Sequence, residues 1–209
     1  DLHSKEGNFA EAEEAYTHAM ACTGAANGRP PASLKLILGL GNALTETGKL
    51  ADARATFEAG CEMCPCASTW LGGGIAMLRQ GDLDAAEAAL AEANIQDHTN
   101  ARVWGYLCLV ALLSDRAPEA EQAIGSAFRC RLADDEWPLL GEIGKLFLEH
   151  GRWKHAEGAL RRSVKHGGGA DVRYALGRAL HEQGDAAAAR DQMLAAVDEA
   201  DEVGEAGPR

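Results

Sequence analysis

A turn residue followed at fixed offsets by an apolar or small residue, an Ala, a large apolar residue and a small one recurs six times along this chain. The first three series start at Gly7 (Phe9, Ala12, Tyr16, Ala19), Gly48 (Leu50, Ala53, Phe57, Gly60) and Gly81 (Leu83, Ala86, Leu90, Ala93). The others start at Asp115 (Ala117, Ala120, Ile124, Ala127), Gly151 (Trp153, Ala156, Leu160, Ser163) and Gly184 (Ala186, Ala189, Met193, Ala196). Successive turn residues stand 41, 33, 34, 36 and 33 positions apart. A period near 34 implies stacked helical hairpins, each burying its apolar face only against its neighbours. The expected fold is all-α.

Each turn is preceded by a second pattern. Eleven, eight, seven and four positions before Gly48 stand Ile37, Leu40, Gly41 and Leu44, which share one face of a helix. The same offsets before Gly81 hold Trp70, Gly73, Gly74 and Met77, and before Gly151 they hold Leu140, Ile143, Gly144 and Phe147. Gly within a helix costs about 1 kcal/mol relative to Ala, so its recurrence at one register needs a compensating close approach. The Ala five positions after each turn is expected to face that small site. The turn glycines suit a left-handed residue that closes a helix, and where Asp115 replaces Gly, Pro118 marks the start of the next helix.

These residues resemble the tetratricopeptide repeat family, whose hairpins carry a Trp or Leu, a Leu-Gly pair, a Gly-x-aromatic turn, an Ala, an aromatic and a second Ala. The resemblance covers Gly7 to Ala196 and implies a right-handed solenoid of antiparallel helix pairs that binds other proteins. The family's repeat-end Pro survives only as Pro65, and an insert with Gly24, Gly28, Pro30 and Pro31 lengthens the first connection by about seven residues. Residues 1–197 are expected to form one solenoid of six repeats, the first cut at its start, and the acidic residues 198–209 a disordered tail. The chain, which begins at Asp1, reads as a piece of a longer protein.

A narrower resemblance lies mid-chain. The runs Thr69–Asn94, Asn100–Leu113 and Pro118–Ile124, with Trp70, Leu71, Gly72, Gly74, Ile75 and Ala76 and then Val103, Trp104, Tyr106 and Leu107, are similar to the carboxy-terminal repeats of the cilia- and flagella-associated protein 70 family. The match fades after about Ile143. It implies a structural role in the central apparatus of motile axonemes, with axonemal subunits as partners and a cytoplasmic, ciliary location.

Charge narrows the partners further. A net charge of −12 opposes attraction to nucleic acid or anionic membrane, and no apolar run approaches a membrane span. Residues 128–178 depart from this average, with ten Lys or Arg against seven Asp or Glu. Here Arg161 and Arg162 belong either to a solvated helix face or to a docking patch for an acidic partner. Direct contact with acidic tubulin tails would have to use this region.

Six positions before each turn stand Asn42, Ile75, Leu109, Lys145 and Arg178, and ten before stand Leu38, Leu71, Gly105, Gly141 and Tyr174. If the first helices line a groove, it is apolar in the middle and basic toward the end. In that case Asn42, Leu71, Ile75, Leu109, Lys145 and Arg178 are the candidate partner-binding residues, with Arg161 and Arg162. The alternative is that Ile75 and Leu109 pack between repeats. Cochaperone-type repeats grip a terminal carboxylate with Lys, Asn and Arg on these helices; Asn42 fits that set, but Leu38 stands where a Lys is required.

Chemistry has weaker signals. Cys61, Cys64 and Cys66 have the short spacing of thiolate metal ligands, with His98 one repeat later near their register, but no local fourth ligand; the other reading is thiols at a helix end. The lack of framework spacing or a secretory signal fits a reducing compartment. Gly39-Leu40-Gly41 and Gly72-Gly73-Gly74 lack the companions of nucleotide-binding loops. No catalytic residue and no cofactor is expected, and a soluble peptide-binding adaptor is the alternative to an axonemal scaffold.

Overall fold

The computed structural model describes residues 8–24, 33–132 and 136–205. Gly7, the insert's Gly28, Pro30 and Pro31, and the last four residues lie outside them. The described residues form eleven helices and no strand. They divide into two compact units, residues 1–99 and 100–209. In a stack of repeats each hairpin packs mainly on its sequence neighbours, so compactness is a local property.

Unit 1 holds α1 (Phe9–Gly24) and the hairpins α2 (Leu34–Glu46) with α3 (Leu50–Met63) and α4 (Ala67–Gln80) with α5 (Leu83–Gln96). Unit 2 holds α6 (Ala101–Leu113) with α7 (Ala117–Arg129), α8 (Trp137–Glu149) with α9 (Trp153–Lys165), and α10 (Ala170–Glu182) with α11 (Ala186–Glu205). Within unit 1 α2 also packs on α4; within unit 2 α8 packs on both α6 and α10.

All five described turns close in one way. Gly48, Gly81, Asp115, Gly151 and Gly184 are left-handed, with φ of 78°, 84°, 60°, 67° and 87°. The next amide in each case donates five residues back, as in Lys49 N to Leu44 O (2.9 Å) and Arg116 N to Ala111 O (2.8 Å). This six-to-one bond satisfies a carbonyl that the helix end would otherwise leave unpaired. Helix starts are fixed by side chains: Asp82 Oδ1 accepts from Ala85 N at 3.2 Å, Asn100 Oδ1 accepts from Arg102 N at 3.1 Å, and Pro118 sits in the first turn of α7.

The repeated Ala is core: Ala53, Ala86, Ala120 and Ala156 are fully buried. The small site in the first helix, however, is filled mainly by the large residue nine positions after the turn. A Cβ placed on Gly41 would lie 2.5 Å from Phe57 Cζ, on Gly74 2.9 Å from Leu90 Cγ, on Gly144 2.5 Å from Leu160 Cγ, and on Gly177 2.6 Å from Met193 Cγ. The Ala contributes its backbone, with Ala86 O 3.4 Å from the Gly74 Cβ position and Ala189 O 3.1 Å from that of Gly177. Phe57 fills two sites, since a Cβ on Gly72 of the next hairpin would meet its ring at 2.2 Å.

Helix α11 runs from Ala186 on to Glu205, across position 197. Glu199 lies inside that stretch and accepts from Arg173 Nε of α10 at 3.1 Å, an anchor that composition alone does not reveal.

Candidate interaction surface

The first helices of the hairpins carry the proposed groove positions, and the structure divides them by burial. Leu71 and Ile75 in α4 are 6% and 8% exposed, and Leu109 in α6 is 2% exposed. These three are core residues rather than an open apolar trough. The reason is local. Helix α4 is enclosed by α2, α3 and α5, so Leu71 through Met77 are all buried, and α6 is buried continuously from Cys108 to Leu112. Asn42 in α2, Arg178 in α10 and Tyr174, at 52%, remain exposed.

In unit 2 the first helices do form a recess. Leu113, Trp137, Gly141, Lys145, Asp171 and Val172 line a cavity of about 340 Å³. Leu113 is 43% exposed at its rim. Lys145 pairs with Asp171 across from α8 to α10, and that hydrogen bond holds the Asp171 carboxyl below its ordinary range against the opposing effect of burial. At Gly141 the helices pack closely: a Cβ there would lie 3.1 Å from Ser163 Oγ and 3.2 Å from Val172 Cγ2. Ser163 is itself fully buried and donates to Trp137 O at 2.7 Å, which holds the start of α8 against α9. Of these, the offset pattern singled out Gly141 and Lys145. Leu113 and Trp137 fall outside its registers, and their accessibility depends on how α6, α8 and α10 meet.

A second, charged cleft lies along α9. Lys154, Arg161, Arg162 and Lys165, with Glu157 and Gln183, line a cavity of about 620 Å³. Four cations face one carboxylate there. Arg161 reaches Glu157 at 2.9 Å, and Gln183 Nε2 donates to the same carboxylate at 2.7 Å. Arg162 is held by two contacts, Nη1 to Gly158 O at 2.9 Å and the guanidinium 3.8 Å above the Phe128 ring. Arg161 and Arg162 therefore share one surface, distinct from the first-helix face that carries Lys145 and Arg178.

Among the described residues no group of three or more His, Cys, Asp and Glu is arranged to hold an ion, and His98 is exposed on the loop after α5. Nor is any helix among them long and apolar enough to cross a membrane.

The family model described as the cilia and flagella-associated protein 70 C-terminal domain matches residues 1–208. This chain belongs to that family. The cilia- and flagella-associated protein 70 pattern thus extends through the last two repeats, beyond the limit near Ile143 that the sequence alone suggested. Cilia- and flagella-associated protein 70 of Macaca fascicularis is 41% identical over 111 residues, which is 53% of this chain and 11% of the relative. The Homo sapiens protein gives 41% over the same length, 10% of its own chain. The matched segment thus spans about a tenth of each relative.

Solved structures agree on the fold. A chain of the APC/C hetero-tetramer Cut9–Hcn1 superposes with a TM-score of 0.65 at 17% identity, over 91% of this chain and 38% of that one. A tetratricopeptide repeat protein from Parabacteroides merdae gives 0.64 at 15% identity, over 94% and 75%. YrrB, described as a tetratricopeptide repeat protein with an unusual peptide-binding site, gives 0.59 at 17%, over 90% and 93%. The fold is a tetratricopeptide-type helical solenoid.

Proposed function

We propose that this domain is a non-catalytic protein-binding scaffold in the central apparatus of the motile axoneme, and that it docks neighbouring subunits through unit 2. The observation that carries the reading is the family match over residues 1–208, joined to a fold that presents partly open recesses. The basic cleft of α9 supplies the attractive surface in a chain of net charge −12, and an acidic segment, such as an acidic tail of tubulin or of an axonemal subunit, fits its charge. Cross-linking mass spectrometry in intact motile axonemes tests this. Links from Lys154 and Lys165 to central-apparatus subunits are expected. Links confined to outer-doublet proteins, or complete release of the protein by mild detergent, would refute it.

The recess on the first-helix face favours a second reading, a soluble peptide-binding adaptor. Trp137 and Leu113 would accept an apolar side chain, while Lys145 and Asp171 orient the peptide backbone and charges. The two readings separate by lifetime: the adaptor exchanges its ligand reversibly, whereas the scaffold stays bound through purification of the axoneme.

A further inference from the structure

Cys61, Cys64 and Cys66 meet where α3 ends and α4 begins. Cys64 closes α3, its amide donating to Gly60 O at 2.9 Å, and Cys66 is the residue that caps α4. Only Pro65 separates Cys64 (φ −149°, ψ 81°) from Cys66 (φ −144°, ψ 163°), so the two cysteines flank the bend that joins the helices. The hub of the junction is Thr69, which is fully buried. Its hydroxyl oxygen accepts from Cys66 N at 3.2 Å and lies 2.9 Å from Cys66 O and 3.6 Å from Cys66 Sγ, either of which its one proton can reach.

The three thiols are in different environments. Cys64 is exposed, and Cys61 and Cys66 are half-buried. Burial raises Cys66, but hydrogen bonds from the Thr69 hydroxyl, from the Thr69 and Ser68 amides and from the Cys64 thiol outweigh it, and its pKa falls below the ordinary thiol value. Burial leaves Cys61 raised. Cys108 is fully buried in α6 and pushed up to about 12, so it is inert in the folded chain. The cluster thus offers a sulfur at a helix start with an exposed second thiol two residues away, the arrangement of a thiol and its resolving partner.

We propose that Cys66 is an oxidation site that reacts with hydrogen peroxide and closes a disulfide with Cys64. The Cys66 thiolate attacks one peroxide oxygen; the S–O bond forms, the O–O bond breaks, and the departing hydroxide takes a proton from solvent to leave as water. Cys66 is then a sulfenic acid. The Cys64 sulfur attacks the Cys66 sulfur, the S–S bond forms and the S–O bond breaks, and the second hydroxide leaves as water with the Cys64 proton. Two thiols and one peroxide give one disulfide and two waters. The bridge would tie the end of α3 to the start of α4 and so stiffen the junction between two repeats.

The test is alkylation and mass spectrometry on the folded full chain. With iodoacetamide at neutral pH, Cys66 is expected to label several-fold faster than Cys130, and Cys108 not at all. After one equivalent of peroxide, Cys64 and Cys66 should be lost together as an internal disulfide that dithiothreitol restores. Cys64→Ser should stop the reaction at a sulfenic acid trapped by dimedone. Cys66→Ser, which keeps a good helix-capping residue, should abolish both products without loss of helicity. Labelling of Cys66 no faster than Cys130, or a peroxide product that joins Cys61 instead of Cys64, would overturn the proposal.

Discussion

Phe57 is one side chain that fills two glycine sites, Gly41 in its own hairpin and Gly72 in the next. The three consecutive glycines of α4 are therefore unequal. A Cβ on Gly72 would meet the Phe57 ring at 2.2 Å, whereas one on Gly73 would stand 3.5 Å from Phe57 Cβ, an ordinary contact. Gly72→Ala is expected to destabilise unit 1 by about 1–3 kcal/mol through overpacking. Gly73→Ala should stabilise it by up to ~1 kcal/mol, since only the helical preference changes. Urea midpoints of the two variants measure this, and a loss at position 73 equal to that at 72 would contradict the packing described. The need for small residues was legible in the sequence, because glycines at one helical register have no other compensation. Their partner was not: both Ala53 and Phe57 face the crossing, and only the helix separation decides which one occupies it.

At the scale of elements, the turns followed most directly from spacing. Five positions found by offset alone have left-handed φ, and one of them is Asp115, at 60°. Left-handed backbone costs an L-residue about 1–2 kcal/mol, while the contact of the exposed Asp115 carboxylate with His150, 3.3 Å away, returns little. Asp115→Gly should therefore raise the melting temperature of the protein by a few degrees, readable by circular dichroism; a fall would mean that the pair with His150 outweighs the backbone strain. Burial around each helix was less legible. Ile75 and Leu109 occupy the same register as the exposed Asn42 and Arg178, yet they are core. Which flank of a first helix is covered depends on the helices beside it, and a single repeat read in isolation carries no record of them. The extension of α11 to Glu205 is of the same kind, resting on the Arg173–Glu199 pair between helices.

For the molecule as a whole, charge is unevenly distributed. Net charge is −12, yet four cations converge on the α9 cleft with Glu157 as the one acid among its lining residues. Binding of a glutamate-rich peptide to the full chain should weaken as salt rises, and Arg161→Glu with Lys165→Glu should reduce it at least about tenfold, the equivalent of ~1.4 kcal/mol. Fluorescence anisotropy at several ionic strengths measures this, and affinity unchanged in the double variant would remove the cleft from consideration. The net excess of basic residues over 128–178 pointed to the region, but Arg162 anchored over Phe128 and Gln183 across from Arg161 appear only in three dimensions. The double fit of Phe57 bears on how such an array can evolve. A tandem duplication of residues 67–96 would set Leu90 of the first copy against Gly72 of the second, leaving vacant the volume that the aromatic ring now occupies. Repeats keyed to their predecessors in this way cannot be multiplied or shuffled freely, so the copy number and order of hairpins in unit 1 are inherited as a set.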